Sequence, residues 1–141
     1  NGCDLPLVSR DYRFAAAVKA ATAGRGVDVV FDGLGAAAAE ETYEALAMTG
    51  HWVSLGHASG PLPPLDPHRQ AAKSLRLSRP VLFHYTAEPA RLREMAARVF
   101  AMVERGALKV TIGQRFPLAA AAAAHDALEA RRTVGSVVLL A

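Results

Sequence analysis

Two short stretches combine glycine with side chains that could meet a ligand: Asp32-Gly33-Leu34-Gly35 and Gly56-His57-Ala58-Ser59-Gly60. Glycine lets a backbone turn tightly and approach a flat ligand closely. Both stretches follow apolar, β-branched runs, so both fall where a strand ends. Open parallel sheets bind their ligands beyond the carboxyl ends of the strands. Either stretch alone is also what an ordinary turn uses, but two at adjacent strand ends argue for a ligand-facing rim. His57 is the histidine best placed to touch a ligand, although a solvated loop residue would show the same pattern.

Other chemistries have weaker support. His51, His57, His68, His84 and His125 show no metal-ligand spacing with cysteine or paired acids. Ser54 and Ser59 lack the G-x-S-x-G elbow of a hydrolase. Neither G-x-G-x-x-G nor a Walker A loop is present, so these residues offer no pyrophosphate turn. Glu40 and Glu41 read as a solvated helix face near its N-terminus, and Arg131 and Arg132 as cations closing a helix. His125 reads as a packing residue.

The elements that must position these residues follow from apolar patterning. Leu5–Val8 is a short apolar run, read as a strand. Phe14–Thr22 reads as a helix with Phe14, Val18 and Ala21 on one face. Val27–Phe31 is continuous and β-branched, as in a strand buried on both faces. Ala36–Met48 reads as a helix stopped by Thr49-Gly50, and Trp52–Leu55 as the next strand. The Pro-rich loop Pro61–Pro67 precedes a short helix near His68–Ser74 and an extended segment over Leu75–Leu82. Glu88-Pro89 opens a helix to Glu104 with Leu92, Met95, Ala96, Val99, Met102 and Val103 at 3–4 spacing. Val110–Ile112 reads as a strand, Pro117–Ala130 as an Ala-rich helix and Ser136–Leu140 as a last strand. Strands alternating with helices imply parallel βαβ units, here in one domain over 1–141 without an internal linker.

Bulk properties narrow the function. The 141 residues are 52% hydrophobic and 21% charged, with a net charge of +3. That mild, scattered surplus suits an anionic small molecule better than nucleic acid, which wants a denser basic stripe. No apolar run is long enough to span a membrane. The single cysteine, Cys3, forms no internal disulfide and fits a reducing compartment such as the cytoplasm. The first residues are not an initiator methionine or a signal peptide, so the chain reads as part of something longer.

Taken together, several segments resemble the medium-chain dehydrogenases/reductases, in their zeta-crystallin-like quinone oxidoreductase branch. Gly26-Val27-Asp28-Val29-Val30-Phe31-Asp32-Gly33-Leu34-Gly35 is similar to the fourth strand of their cofactor domain. Gly50–Gly60 is similar to the fifth strand and its loop. Ser74-Leu75, Ser78-Arg79-Pro80 and Tyr85 are typical of the branch. So is the closing run Phe116-Pro117-Leu118, Ala124-His125, Leu128-Glu129, Arg131, Thr133 and Gly135-Ser136.

The resemblance implies the second half of a Rossmann-type, doubly wound α/β domain plus a C-terminal segment. The glycine-rich loop and an N-terminal catalytic domain would precede it. It implies zinc-independent hydride transfer from NADPH to a quinone or other conjugated carbonyl, with NADH left open, and little activity for the piece alone. An enoyl reductase of the polyketide-synthase type and a non-catalytic nucleotide-binding or self-association module are the alternatives.

The cofactor residues it implies are Ser9 and Arg10 at the adenosine 2′-phosphate and Leu34 after the fourth strand. Leu55, Gly56, His57 and Ala58 would lie on the nicotinamide side, with Pro80, Val81 and Leu82 on a further segment and Arg131 near the end. Ser9 stands where many members have tyrosine. The family's habit implies a homodimer. In the usual strand order the Leu5–Val8 strand would lack its neighbour, so it is expected to be displaced, disordered or paired with another copy.

Overall fold

A computed structural model describes residues 2–9 and 11–141. By its internal contacts the chain divides into two compact units, Gly2–Tyr85 and Thr86–Ala141. Both are α/β with parallel strands, as the alternating pattern requires.

The first unit runs α1 (Ala15–Ala21), β1 (Val27–Asp32), a 3₁₀ turn (Ala36–Ala38) into α2 (Ala39–Ala45), β2 (Leu46–Ser54), α3 (Pro67–Ala72) and β3 (Arg76–Ser78). A short helix, α4 (Leu82–Thr86), reaches the boundary. The strands form a parallel sheet in the order β1-β2-β3. Phe31 stands opposite Val53, and Trp52 opposite Leu77. The core lies on one side, where Ala39, Tyr43, Leu46 and Trp52 are buried and Val30, Leu62, Leu65 and Leu75 pack against them.

Side chains from neighbouring elements close the helix ends. Glu41 Oε2 accepts from the backbone N–H of Phe14 (2.8 Å) and Ala15 (2.7 Å), so α2 caps α1. Lys73 Nζ donates to the carbonyls of Tyr43 (2.8 Å) and Leu46 (3.0 Å), satisfying acceptors that the end of α2 would leave orphaned. Burial lowers the affinity of Lys73 for its proton. Asp66 caps α3 by accepting from the His68 N–H, with Pro67 at the first helical position.

Several sequence expectations are corrected. Leu5–Val8 forms no strand. The helix expected over Ala36–Met48 starts as a 3₁₀ turn and ends at Ala45. Leu46 turns extended, Lys73 takes up the carbonyls left at that end, and Thr49 adopts φ 61°, which an α-helix cannot accommodate. The strand that follows carries a register irregularity there. β1 is covered on one face only, with Val29 45% and Phe31 71% exposed. The extended segment over Leu75–Leu82 pairs only at Arg76–Ser78, since Pro80 has no N–H to donate, and it turns helical at Leu82. Glu40 and Glu41 are not a merely solvated face. Glu41 is a cap, and Glu40 accepts from Arg69 Nη1 at 2.7 Å.

The second unit contains α5 (Pro89–Glu104), β4 (Ile112–Pro117), a 3₁₀ turn (Leu118–Ala120), α6 (Ala121–Glu129) and β5 (Ser136–Leu140). β4 and β5 pair in parallel, with Phe116 opposite Leu139. The strand expected at Val110–Ile112 starts at Ile112 and runs on to Pro117. Ala124 and Ala127 are the buried apolar residues here, and α5 buries none of its residues. Among the described residues no helix is long and apolar enough to cross a membrane.

Candidate functional site

The carboxyl ends of β1 and β2 lie side by side, and the two glycine loops that leave them are laced together. Asp32 is the anchor, 4% exposed. Its Oδ1 accepts from the N–H of Leu34 (2.7 Å) and Gly35 (3.1 Å), and its Oδ2 accepts from the Trp52 indole N–H (3.1 Å). Its backbone carbonyl accepts from the N–H of Leu55 (2.7 Å) and Gly56 (3.2 Å). A buried carboxylate held by this many donors fixes both loops at once.

Further bonds continue the lacing. Ala58 N–H donates to the Gly33 carbonyl, and Ser59 donates to the Leu34 carbonyl from its N–H (2.8 Å) and its hydroxyl (2.6 Å). Gly35 has φ 82°, and a Cβ there would overlap the Gly60 carbonyl oxygen and stand 2.9 Å from the His57 Cα. Only glycine permits this approach. From β3's end, Arg79 Nη1 donates to the Ser54 carbonyl (3.1 Å) and Nη2 to His57 Nδ1 (2.7 Å).

Apolar surface lies along this rim. Leu55 is 56% exposed and Leu34 half-buried, while Val81 and Leu82 are exposed. An open space of about 410 Å³ is lined by Leu5, Leu7, Ser9, Tyr12, Phe14, Val18 and Leu34. That size and lining are typical of small-molecule sites. Ser9 Oγ donates to Asp11 Oδ1 at 3.0 Å, and the Arg13 N–H and the Ser9 hydroxyl together hold the Asp11 carboxyl below its usual pKa.

A second hollow, about 220 Å³, lies between α2, α3 and the Pro-rich loop. There Arg69 stacks 3.9 Å above the Tyr43 ring. The Tyr43 hydroxyl donates to the Arg69 carbonyl (2.9 Å), and Arg69 pairs with Glu40.

The structure therefore brings Ser9 and Leu34 to one cavity. It places Leu55, Gly56, His57 and Ala58 on the loop laced to Leu34, and Pro80 next to the Arg79 that grips that loop. Arg10 lies outside the described residues. Arg131 belongs to the second unit, exposed in the turn after α6 with φ 54°. Sequence reasoning missed Asp32 and Arg79 as organisers. An acid directly between a buried strand and a glycine turn was the available signal for the first. Nothing local distinguished the second.

These surfaces fit the flat rings of a nicotinamide dinucleotide: the rim is apolar, and the backbone at Gly33 has open space above it. The dinucleotide's phosphates need a backbone N–H turn that this sequence does not contain. The residues do not fit a zinc ion. Among those described, no three His, Cys, Asp or Glu side chains cluster as ligands, and Cys3 is exposed.

Comparison with known proteins bears on the family and the fold. The family model described as "Zinc-binding dehydrogenase" matches residues 2–139. A quinone oxidoreductase of Pseudomonas aeruginosa is 42% identical over 120 residues, covering 84% of this chain and 37% of that protein. A 2-haloacrylate reductase of a Burkholderia species is 35% identical over 141 residues, covering 99% and 42%. A solved mycobacterial structure in complex with NADPH superposes with a TM-score of 0.85 at 44% identity, covering 99% of this chain and 44% of that one. The chain thus spans about two fifths of the length of the proteins it matches.

Proposed function

The chain belongs to the zinc-binding dehydrogenase family of the medium-chain dehydrogenases/reductases, in its quinone oxidoreductase branch, and from that premise we propose that the whole protein reduces a quinone or another conjugated carbonyl with NADPH. The observation that carries this reading is the pair of glycine loops at the ends of β1 and β2, locked together by buried Asp32 with apolar side chains along their rim. NADPH, when bound, supplies the hydride.

The chain's own residues do the positioning. Leu55 offers apolar contact to the flat nicotinamide ring and keeps water off its face. Gly56 and Ala58, free of bulk, let backbone approach it. The cavity beside Ser9 and Leu34 takes the adenosine end. Pro80, Val81 and Leu82 are proposed as further cofactor contacts. Fixing a ring against an acceptor contributes through orientation and excluded solvent reorganisation, and the electronic chemistry is the cofactor's.

The direct test is NADPH oxidation by the whole protein with a benzoquinone, an α,β-unsaturated ketone and an enoyl thioester in parallel. Turnover of the quinone or the ketone is expected, and NADPH should outperform NADH. No turnover of either by a correctly folded protein would overturn the proposal. Preference for the thioester would instead favour an enoyl reductase. A homodimer is part of the same proposal, checked by light scattering.

A further inference from the structure

His57 is held by two independent constraints that packing alone does not demand. Its backbone is pinned by Gly35, whose missing Cβ leaves just enough room for the His57 Cα. Its ring is gripped by Arg79, whose Nη2 lies 2.7 Å from Nδ1. A guanidinium has only donors, so Nδ1 must be the acceptor, and the ring proton therefore resides on Nε2. The same guanidinium also donates to the Ser54 carbonyl through Nη1, so one side chain bridges the strand end and the ring. The imidazole is nonetheless exposed, and no described residue bonds Nε2. An exposed ring with a fixed tautomer and one open N–H, on the rim assigned above to the nicotinamide, is arranged to donate to something that arrives.

We infer that Arg79 is a positioning residue that sets His57 as an Nε2–H donor to the carbonyl oxygen of the hydride acceptor. This rests on the reading of the preceding subsection. Hydride addition to the β-carbon of the conjugated acceptor moves an electron pair onto the carbonyl oxygen, which becomes an enolate anion; once protonated, a quinone's product tautomerises to the hydroquinone. The Nε2–H bond to that oxygen strengthens as the charge develops, and water supplies the proton that completes the reduction. Removing a donor aimed at developing oxyanion charge costs about 10²–10³ in turnover in well-ordered sites. The exposure of His57 places its effect at or below the lower end of that range.

The test joins a tautomer measurement to a kinetic one, both on the whole protein. Two-bond ¹H–¹⁵N spectra of ¹⁵N-histidine protein should show His57 as the Nε2–H tautomer, turning to a mixture in Arg79→Met. His57→Leu should lower kcat with a benzoquinone by about ten- to a hundredfold and leave the KM for NADPH within about twofold. His57→Gln, whose amide nitrogen reaches where Nε2 stands, should restore most of the loss. Arg79→Met should fall between wild type and His57→Leu.

An Nδ1–H tautomer in the wild type would overturn the positioning role. Equal damage from His57→Gln and His57→Leu, or a loss confined to the KM for NADPH, would overturn the donor role. Wild-type protein that turns over no acceptor would instead sink the proposed function and with it the donor role, while the spectra still decide whether Arg79 fixes the ring.

Discussion

The two units of this chain use similar elements to opposite effect. In Gly2–Tyr85 a single layer of helices covers one sheet face. Trp52 is 1% exposed and Leu46 2%, and the polar atoms of Asp32, Glu41 and Lys73 are matched to donors or acceptors on neighbouring elements. In Thr86–Ala141 a sixteen-residue helix and a βαβ unit bury only two alanines, while Phe100 is 65% exposed and Val134 83%. The secondary structure of the second unit is as well formed as that of the first. The difference teaches that local sequence suffices to write elements without a core: the second unit carries Leu92, Val99, Phe100 and Leu139, yet leaves them exposed within these residues. The rim assigned to cofactor sits on the unit that has such a core, where Asp32 ties its loops together.

The largest test of that contrast is Trp52→Ala. It removes the biggest buried side chain and orphans Asp32 Oδ2, so urea titration of the whole protein should show a loss of about 3–5 kcal/mol. Phe100→Ala on α5 is its counterpart and should cost under about 0.5 kcal/mol if the ring is as exposed in the whole protein as here. A cost above about 2 kcal/mol for Phe100→Ala would mean that face is buried in the whole protein, and the contrast would then belong to these 141 residues alone. Next comes Gly35→Ala. Positive φ and the overlap with Gly60 predict a loss of about 1–3 kcal/mol, with weaker NADPH binding by calorimetry because the two loops must separate.

Lys73→Met should cost about 1–3 kcal/mol, since the carbonyls at the end of α2 lose a charged donor in a partly buried place. The smallest effect is that of pH. Hydrogen bonding to Arg69 lowers the Glu40 pKa below its usual 4.5, and Lys19 does the same for Glu44. Depressed acid pKa values stabilise the fold above about pH 4.5, and that contribution disappears as the pH falls through the lowered values. With the two carboxylate side chains 64% and 42% exposed, solvent screening keeps it small. Thermal melts between pH 6 and 3 should show this shift, reduced by salt.

Much of this architecture was legible in the residues. The period-3–4 stripe after Glu88-Pro89 fixed α5 to the residue, and the β-branched run at Val27 fixed β1 to within one. Ser136–Leu140 was likewise clear. What failed depended on distant partners. The last carbonyls of α2 are taken by Lys73 from the C-cap of α3, and Leu5–Val8 pairs with none of the described strands. Of the rim, the two glycine loops were visible as motifs. The bonds that lock them were not, because Asp32 and Trp52 are twenty residues apart and Arg79 reaches back twenty-two to His57.

If these laced loops face the cofactor, NADPH must shield their backbone. Hydrogen–deuterium exchange of the whole protein with and without NADPH tests it most directly. The account predicts slowed exchange in peptides spanning residues 33–36, 55–60 and 80–84, with α5 between 92 and 102 unchanged. Saturating NADPH that leaves the first three unprotected would contradict it.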